Sequence, residues 1–210
     1  MAQMGRPRNF DRDQAVEQAM HLFWQHGYDA TSLAQLKAGL GGGISAPSFY
    51  AAFGSKEALF DECVQRYLAT YAQVTECLWD DSLPPRQAIE TALRQSARMQ
   101  CDTAHPKGCM VTLGVMSAPS PENARVADAL THSRLRTRAG MVACVERGVR
   151  ASQLPNTLDV VAMATVFDGF LQGVSILARD NSPLAAIDAA ITQILLTWDV
   201  LAASVEPSVR

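Results

Sequence analysis

The sequence has few cysteines, few aromatic residues and no surplus of charge of either sign, and each shortage excludes something. The five cysteines, Cys63, Cys77, Cys101, Cys109 and Cys144, are odd in number, widely spaced and without a C-x-x-C pair. That excludes a secreted disulfide framework and a zinc-finger signature. Charged residues make up 19% of the chain and the net charge is −3, so no basic bulk points to nucleic acid. Residues 1–60 are neutral, with Arg6, Arg8, Arg12, Lys37 and Lys56 set against Asp11, Asp13, Glu17, Asp29 and Glu57. No apolar run is read as long enough to cross a membrane, and MAQMGRPRNFD lacks the apolar stretch of a signal peptide, so the expected compartment is the cytoplasm, with no membrane partner. G-x-S-x-G, H-E-x-x-H and a phosphate loop are all missing, so an enzyme is not expected, nor is a cofactor or a bound metal. Asp168, inside an apolar helical stretch, reads as a capped or dimer-paired acid rather than a catalytic one.

What remains is foldable material, 210 residues with 48% hydrophobic, enough for a substantial core. No segment alternates as a strand does, so the fold class is all-α. A basic arm (1–11) precedes a first helix from about Asp13 to His26, ended by Gly27, with Ala15, Ala19, Leu22 and Phe23 on one face. Two short helices follow around a glycine turn. A long helix is expected from Ser55 through Trp79, stopped by Asp80-Asp81-Ser82 and Pro84-Pro85. Further helices are expected over 86–100, 108–118, 122–152, 157–179 and 183–204.

The informative stretch is 31–56. Thr31 reads as an N-cap, and Leu33, Leu36 and Leu40 share a helical face. Gly41, Gly42 and Gly43 break that helix. Ser45 caps the next, with Pro47 in its first turn and Phe49 and Phe53 on its buried side. Helix, turn, short helix is the geometry that lays a helix in a DNA major groove. On His26-Gly27-Tyr28, Thr31-Ser32-Leu33, Ser45 to Tyr50 and Phe53 to Phe60, the segment from about residue 5 to 70 resembles the DNA-binding domain of the TetR family of bacterial repressors. The three glycines depart from that pattern, in which the turn usually carries one.

The resemblance implies two domains, an arm and helix-turn-helix over 1–56 and a helical effector-binding and dimerisation domain over 57–210. It implies a palindromic double-stranded operator as partner, with Thr31, Ser32 and Ala34 beside it, Ala46, Pro47 and Ser48 facing base edges, and Tyr50 and Lys56 holding phosphates. Arg6 and Arg8 would reach an adjacent minor groove. The apolar faces of the last two helices (Phe167, Leu171, Val174; Ile187, Ile191, Ile194, Leu195, Trp198) read as either a core or a seam. The resemblance favours the seam of a homodimer. It also implies a small-molecule effector in a pocket among Trp79, Met99, Met110, Leu113, Met116, Phe167 and Phe170. Cys109, after Lys107 and opening a helix, is a candidate redox or electrophile sensor with Cys101 as its partner thiol, and a core residue otherwise. A protein-interaction adaptor with a degenerate reading head is the remaining alternative.

Overall fold

The computed structural model describes residues 11–114 and 121–205, so the expectations for Arg6, Arg8 and Met116 lie outside the described residues. The order is α1 (Arg12–His26), α2 (Leu33–Gly39), α3 (Ala46–Phe53), α4 (Lys56–Ala69), a 3-10 stretch (Tyr71–Trp79), α5 (Pro85–Cys101), α6 (Met110–Leu113), a second 3-10 stretch (Pro121–Ala127), α7 (Asp128–Arg150), α8 (Val160–Arg179) and α9 (Leu184–Ala203). No strand occurs among the described residues.

The helix starts follow local chemistry. The side chains of Asp11, Ser45, Ser55 and Asp159 each accept a first-turn backbone N–H. At α2 the cap is Ser32, not Thr31. Ser32 Oγ accepts from Gln35 N at 3.2 Å while Gln35 Oε1 accepts from Ser32 N at 2.7 Å. Thr31 is fully buried and its hydroxyl donates to the Gly27 carbonyl at 2.6 Å, tying down the end of α1. The expected long helix breaks at Thr70 (φ −123°, ψ −86°), whose hydroxyl donates to the Arg66 carbonyl. The expected 108–118 helix is four residues of α6 within the described part.

Two hydrophobic clusters make the core. The first joins α1 to α4 through Phe23, Trp24, Phe49, Phe60 and Tyr67, then takes in Met110 and Leu130 from beyond. α4 supplies a wall of this cluster through Leu59, Phe60, Val64 and Tyr67. The second joins α5, α7, α8 and α9 around Ile89, Met141, Phe167, Ile191 and Trp198. Gly148 on α7 lets Trp198 seat there, since a Cβ at that position would lie 2.7 Å from the indole ring. Outside, Arg86 clamps Asp199 at 2.6 Å and Arg94 clamps Asp188 at 2.7 Å, with Glu90 between the two arginines.

The seam expected on Phe167, Leu171, Val174, Ile187, Ile191, Leu195 and Trp198 is corrected by their burial. All seven are sealed within the chain's own core, and Ile194 is half-buried against it. The face left open is a different one. On α8 it carries Val161, Val166, Ile176 and Leu177, and on α9 Leu184, Leu196 and Val200. Gly169 and Gly173 also stand on the open side, with nothing within 4 Å of where a Cβ would be. Contrary to the expectation of no such run, α8 and α9 are each 20 residues long and apolar enough, by length and composition alone, to cross a bilayer. One face of each, however, is packed in the core, and α8 holds Asp168 there. That buried acid is paired within the chain, accepting from Arg138 Nε at 2.8 Å.

Candidate nucleic-acid interface and effector chamber

The head holds α3 by one side and presents the other. Phe49 and Phe53 are buried, and Leu36 and Leu40 close the core beneath α2. Ser45, Pro47, Ser48, Tyr50 and Ala51 are exposed, and Ala46 is half-buried at the edge. The Ser45 and Ser48 hydroxyls lie 2.9 Å apart, so Ser48 is oriented by its cap. The turn between the helices keeps its geometry through the three glycines, at φ +57°, +79° and +105°. Gly41 N–H donates to Gln18 Oε1 and Ile44 N–H to the Lys37 carbonyl, so both ends of the turn are pinned.

At the N-terminal end of α2, Ser32, Ala34 and Gln35 are exposed, whereas buried Thr31 offers nothing to a partner. Sequence reasoning passed over Gln35, although the Ser-x-x-Gln spacing carried its signal. Lys56 is half-buried, with Nζ 4.1 Å over the Tyr28 ring, and burial lowers its pKa. Arg12 is spent internally, bidentate to Glu62 at 2.6 and 2.7 Å.

Between the 3-10 stretch after α4, α5 and α7 lies a chamber of about 40 Å3. Tyr67, Met99, Gln100, Cys109, Thr112, Arg134 and Gln172 line it. Of the expected pocket residues that are described, Met99 alone is there, and Cys109, expected as a sensor thiol, lines the chamber too. Met110, Leu113 and Phe167 are core, and Trp79 is exposed beneath the Arg136 guanidinium. Phe170 is half-buried against the second cluster. The missed residues are polar, and no helical stripe marks them. Tyr67 donates to Cys109 Sγ at 3.3 Å and accepts from Met110 N–H. Burial pushes the Tyr67 pKa up and, in the opposite sense, lowers that of Arg134. Lys107 is turned away from the thiol and donates to Asn181 Oδ1 at 2.9 Å. Cys101 packs against the second cluster, Cys109 against the first, and burial raises the Cys101 pKa. The His105 ring lies against Trp24, 4.5 Å between centroids, rather than with the two thiols.

Hydrogen bonds tie the chamber to the head. Trp24 Nε1 donates to the carbonyl of Gly108, the neighbour of Cys109. Arg179 from α8 donates to the Trp24 and Gln25 carbonyls at the end of α1.

Residues 15–63 match the family described as "Bacterial regulatory proteins, tetR family". The HTH-type transcriptional repressor ComR of Escherichia coli K12 is 33% identical over 202 residues, covering 94% of this chain and 93% of its own length. The repressor BdcR of the same organism is 39% identical over 113 residues, 54% of this chain and 56% of BdcR. A cysteine mutant of the TetR family regulator CifR, solved on 26-bp double-strand operator DNA, is 34% identical, with a TM-score of 0.80 over 92% of this chain and 100% of CifR's. With a head of this geometry and a full-length relative at that identity, the chain belongs to the TetR family of bacterial regulatory proteins.

Proposed function

We propose that this chain represses transcription as a homodimer on a two-fold symmetric operator, and that a small molecule bound in the chamber releases it. The observation that carries this reading is the exposed face of α3 (Pro47, Ser48, Tyr50) held on a fixed core by Phe49 and Phe53. The relatives' names support it, ComR as a repressor and CifR as an operator-bound regulator. The family acts by binding DNA, so the chain is not an enzyme, and it works where the chromosome is, in the cytoplasm.

Readout would rest on Ser48, on thymine-methyl contacts from Ala46 and Pro47, and on DNA shape, with Ser32 and Ala34 alongside. Tyr50 and Lys56 would hold phosphates, Lys56 leaving the Tyr28 ring to do so. The open apolar face of α8 and α9 would form the seam, the bare backbone at Gly169 and Gly173 allowing close approach. An effector releases the head only by binding the DNA-incompetent arrangement more tightly.

Selection of DNA from a random pool by the purified protein, reduced and at fixed near-physiological salt, tests the reading. Enrichment of a palindrome supports it. Weak, salt-sensitive binding without a motif sinks it in favour of the adaptor.

One observation favours a second reading of the same chamber, that Cys109 senses electrophiles. Its sulfur lines the chamber and receives the Tyr67 hydroxyl proton, a bond that strengthens on ionisation to the thiolate. The thiolate would add to the C=C of a quinone, forming C–S, with the displaced electron pair taken by the quinone oxygen and then protonated. Cys109→Ser should bind DNA normally and resist release by a quinone. Release at the wild-type rate rules this out.

A further inference from the structure

The chamber does not end at its inner wall. Ala72, Thr75, Ser133 and Thr137 line it and also line an outer groove of about 480 Å3 between the 3-10 stretch after α4 and α7. The two spaces differ in kind. The inner one, about 40 Å3, has room for roughly three water molecules, a group of three or four heavy atoms. The outer one has the volume of an ordinary small-molecule site.

Their chemistry differs too. Arg134 is the one chain-borne charge among the described residues lining the inner chamber. Its guanidinium is held by the Val111 carbonyl and the Thr131 hydroxyl, with no carboxylate at ion-pair distance among the described residues. The nearby acid, Asp168, is already taken by Arg138. A half-buried cation held by neutral acceptors keeps donors that an anion can use. Gln172 and Thr112 bond each other at 2.7 Å on the facing wall and offer further polar atoms. Leu68, Ala72 and Ala129 give the outer groove an apolar floor.

We propose that the effector site is bipartite and takes an amphipathic carboxylate, its anionic head in the inner chamber on Arg134 and its apolar body in the outer groove. This rests on the effector-released reading above. The groove is latched at its mouth by the Arg136–Glu76 ion pair, with Arg136 stacked on Trp79, so the body enters beside that pair.

The test is calorimetric titration of the full chain with a series of straight-chain carboxylates (butanoate to decanoate), benzoate and phenylacetate, each against its primary amide. Operator binding is followed by anisotropy in the same samples. At least one carboxylate should bind, its amide at least 10-fold more weakly. Arg134→Gln should weaken the carboxylate roughly 10- to 100-fold, the loss of a charge-assisted bond. Arg134→Lys, which keeps the charge, should recover part of that. Thermal midpoints of the unliganded variants confirm folding. No binding by any carboxylate, equal binding by the amide, or an unchanged affinity in folded Arg134→Gln overturns the proposal. A carboxylate that binds by these criteria but leaves operator affinity unchanged keeps the anionic site and refutes effector release. Release by a neutral compound while every carboxylate fails does the reverse.

Discussion

The indole N–H of buried Trp24 donates to the carbonyl of buried Gly108 at 3.1 Å, across 84 residues of chain. Trp24 belongs to the helix that carries the reading head. Gly108 precedes the cysteine that lines the effector chamber. On the proposed effector release, an occupant that displaced Cys109 would act on the Gly108 peptide and, through this hydrogen bond, on α1.

Trp24→Phe keeps most of the ring packing against Tyr67 and Tyr71 but leaves the Gly108 carbonyl without its donor. A buried polar group left unpaired costs about 1–3 kcal/mol. The urea midpoint should fall by that amount with the slope unchanged, while amide exchange at the end of α1 accelerates. An unaltered midpoint would show that the bond contributes nothing to the coupling.

Val166 and Phe167 are neighbours on α8 with opposite fates, the first 49% exposed and the second fully buried. On the proposed seam, the wild type should sediment as a dimer and Val166→Glu as a monomer with little change in helix content. Phe167→Ala should instead cost about 3–5 kcal/mol of stability through the cavity it leaves. A monomeric Val166→Glu with intact operator affinity would contradict the need for two heads.

That pair also shows what the sequence could and could not disclose. Periodicity places Phe167, Leu171 and Val174 on one stripe, and they are on one. Yet α8 is apolar on both sides, and nothing in a single chain says which side meets its own core and which meets a copy. The helix-turn-helix was legible because its punctuation is local, in Ser45, Pro47 and the glycines. The Thr31/Ser32 exchange was a matter of one residue, resolved only because the Thr31 hydroxyl finds Gly27. The break at Thr70 has no Gly or Pro to announce it. Most of the chamber's lining escaped the sequence because it is assembled from α4, the 3-10 stretch after it, α5, α6, α7 and α8, so no stretch of sequence carries its pattern.

The glycine turn makes a graded prediction. Gly41, at φ +57°, is in the left-handed well that asparagine tolerates, whereas Gly43, at +105°, lies beyond it. No atom lies within 4 Å of a Cβ at Gly43, so any penalty there is backbone strain alone. Gly41→Asn should be close to neutral and Gly43→Ala should cost about 1–2 kcal/mol. Operator affinity should fall with Gly43→Ala more than with Gly41→Asn. Equal effects would mean that the extra glycines are mere length.

His21 sets a pH dependence at the same junction. Its Nε2 is buried without a hydrogen-bond partner, and its ring meets Trp24 edge-on at 6.3 Å. Burial lowers its pKa and His105 opposes protonation further, against the pull of Glu17 on its own helix. Folding thus favours the neutral imidazole. Its contribution is whole above the unfolded value near pH 6.5 and is lost as pH falls through the lower folded one, where the unfolded chain binds the extra proton. The carboxylates held low by arginine, Glu90 and Asp199, lose their contributions further down, as pH falls below about 4. Urea midpoints should therefore drop between pH 7.5 and 5.5, and His21→Gln should flatten that drop while leaving the acid limb in place. A wild-type slope in His21→Gln would assign the loss to another group.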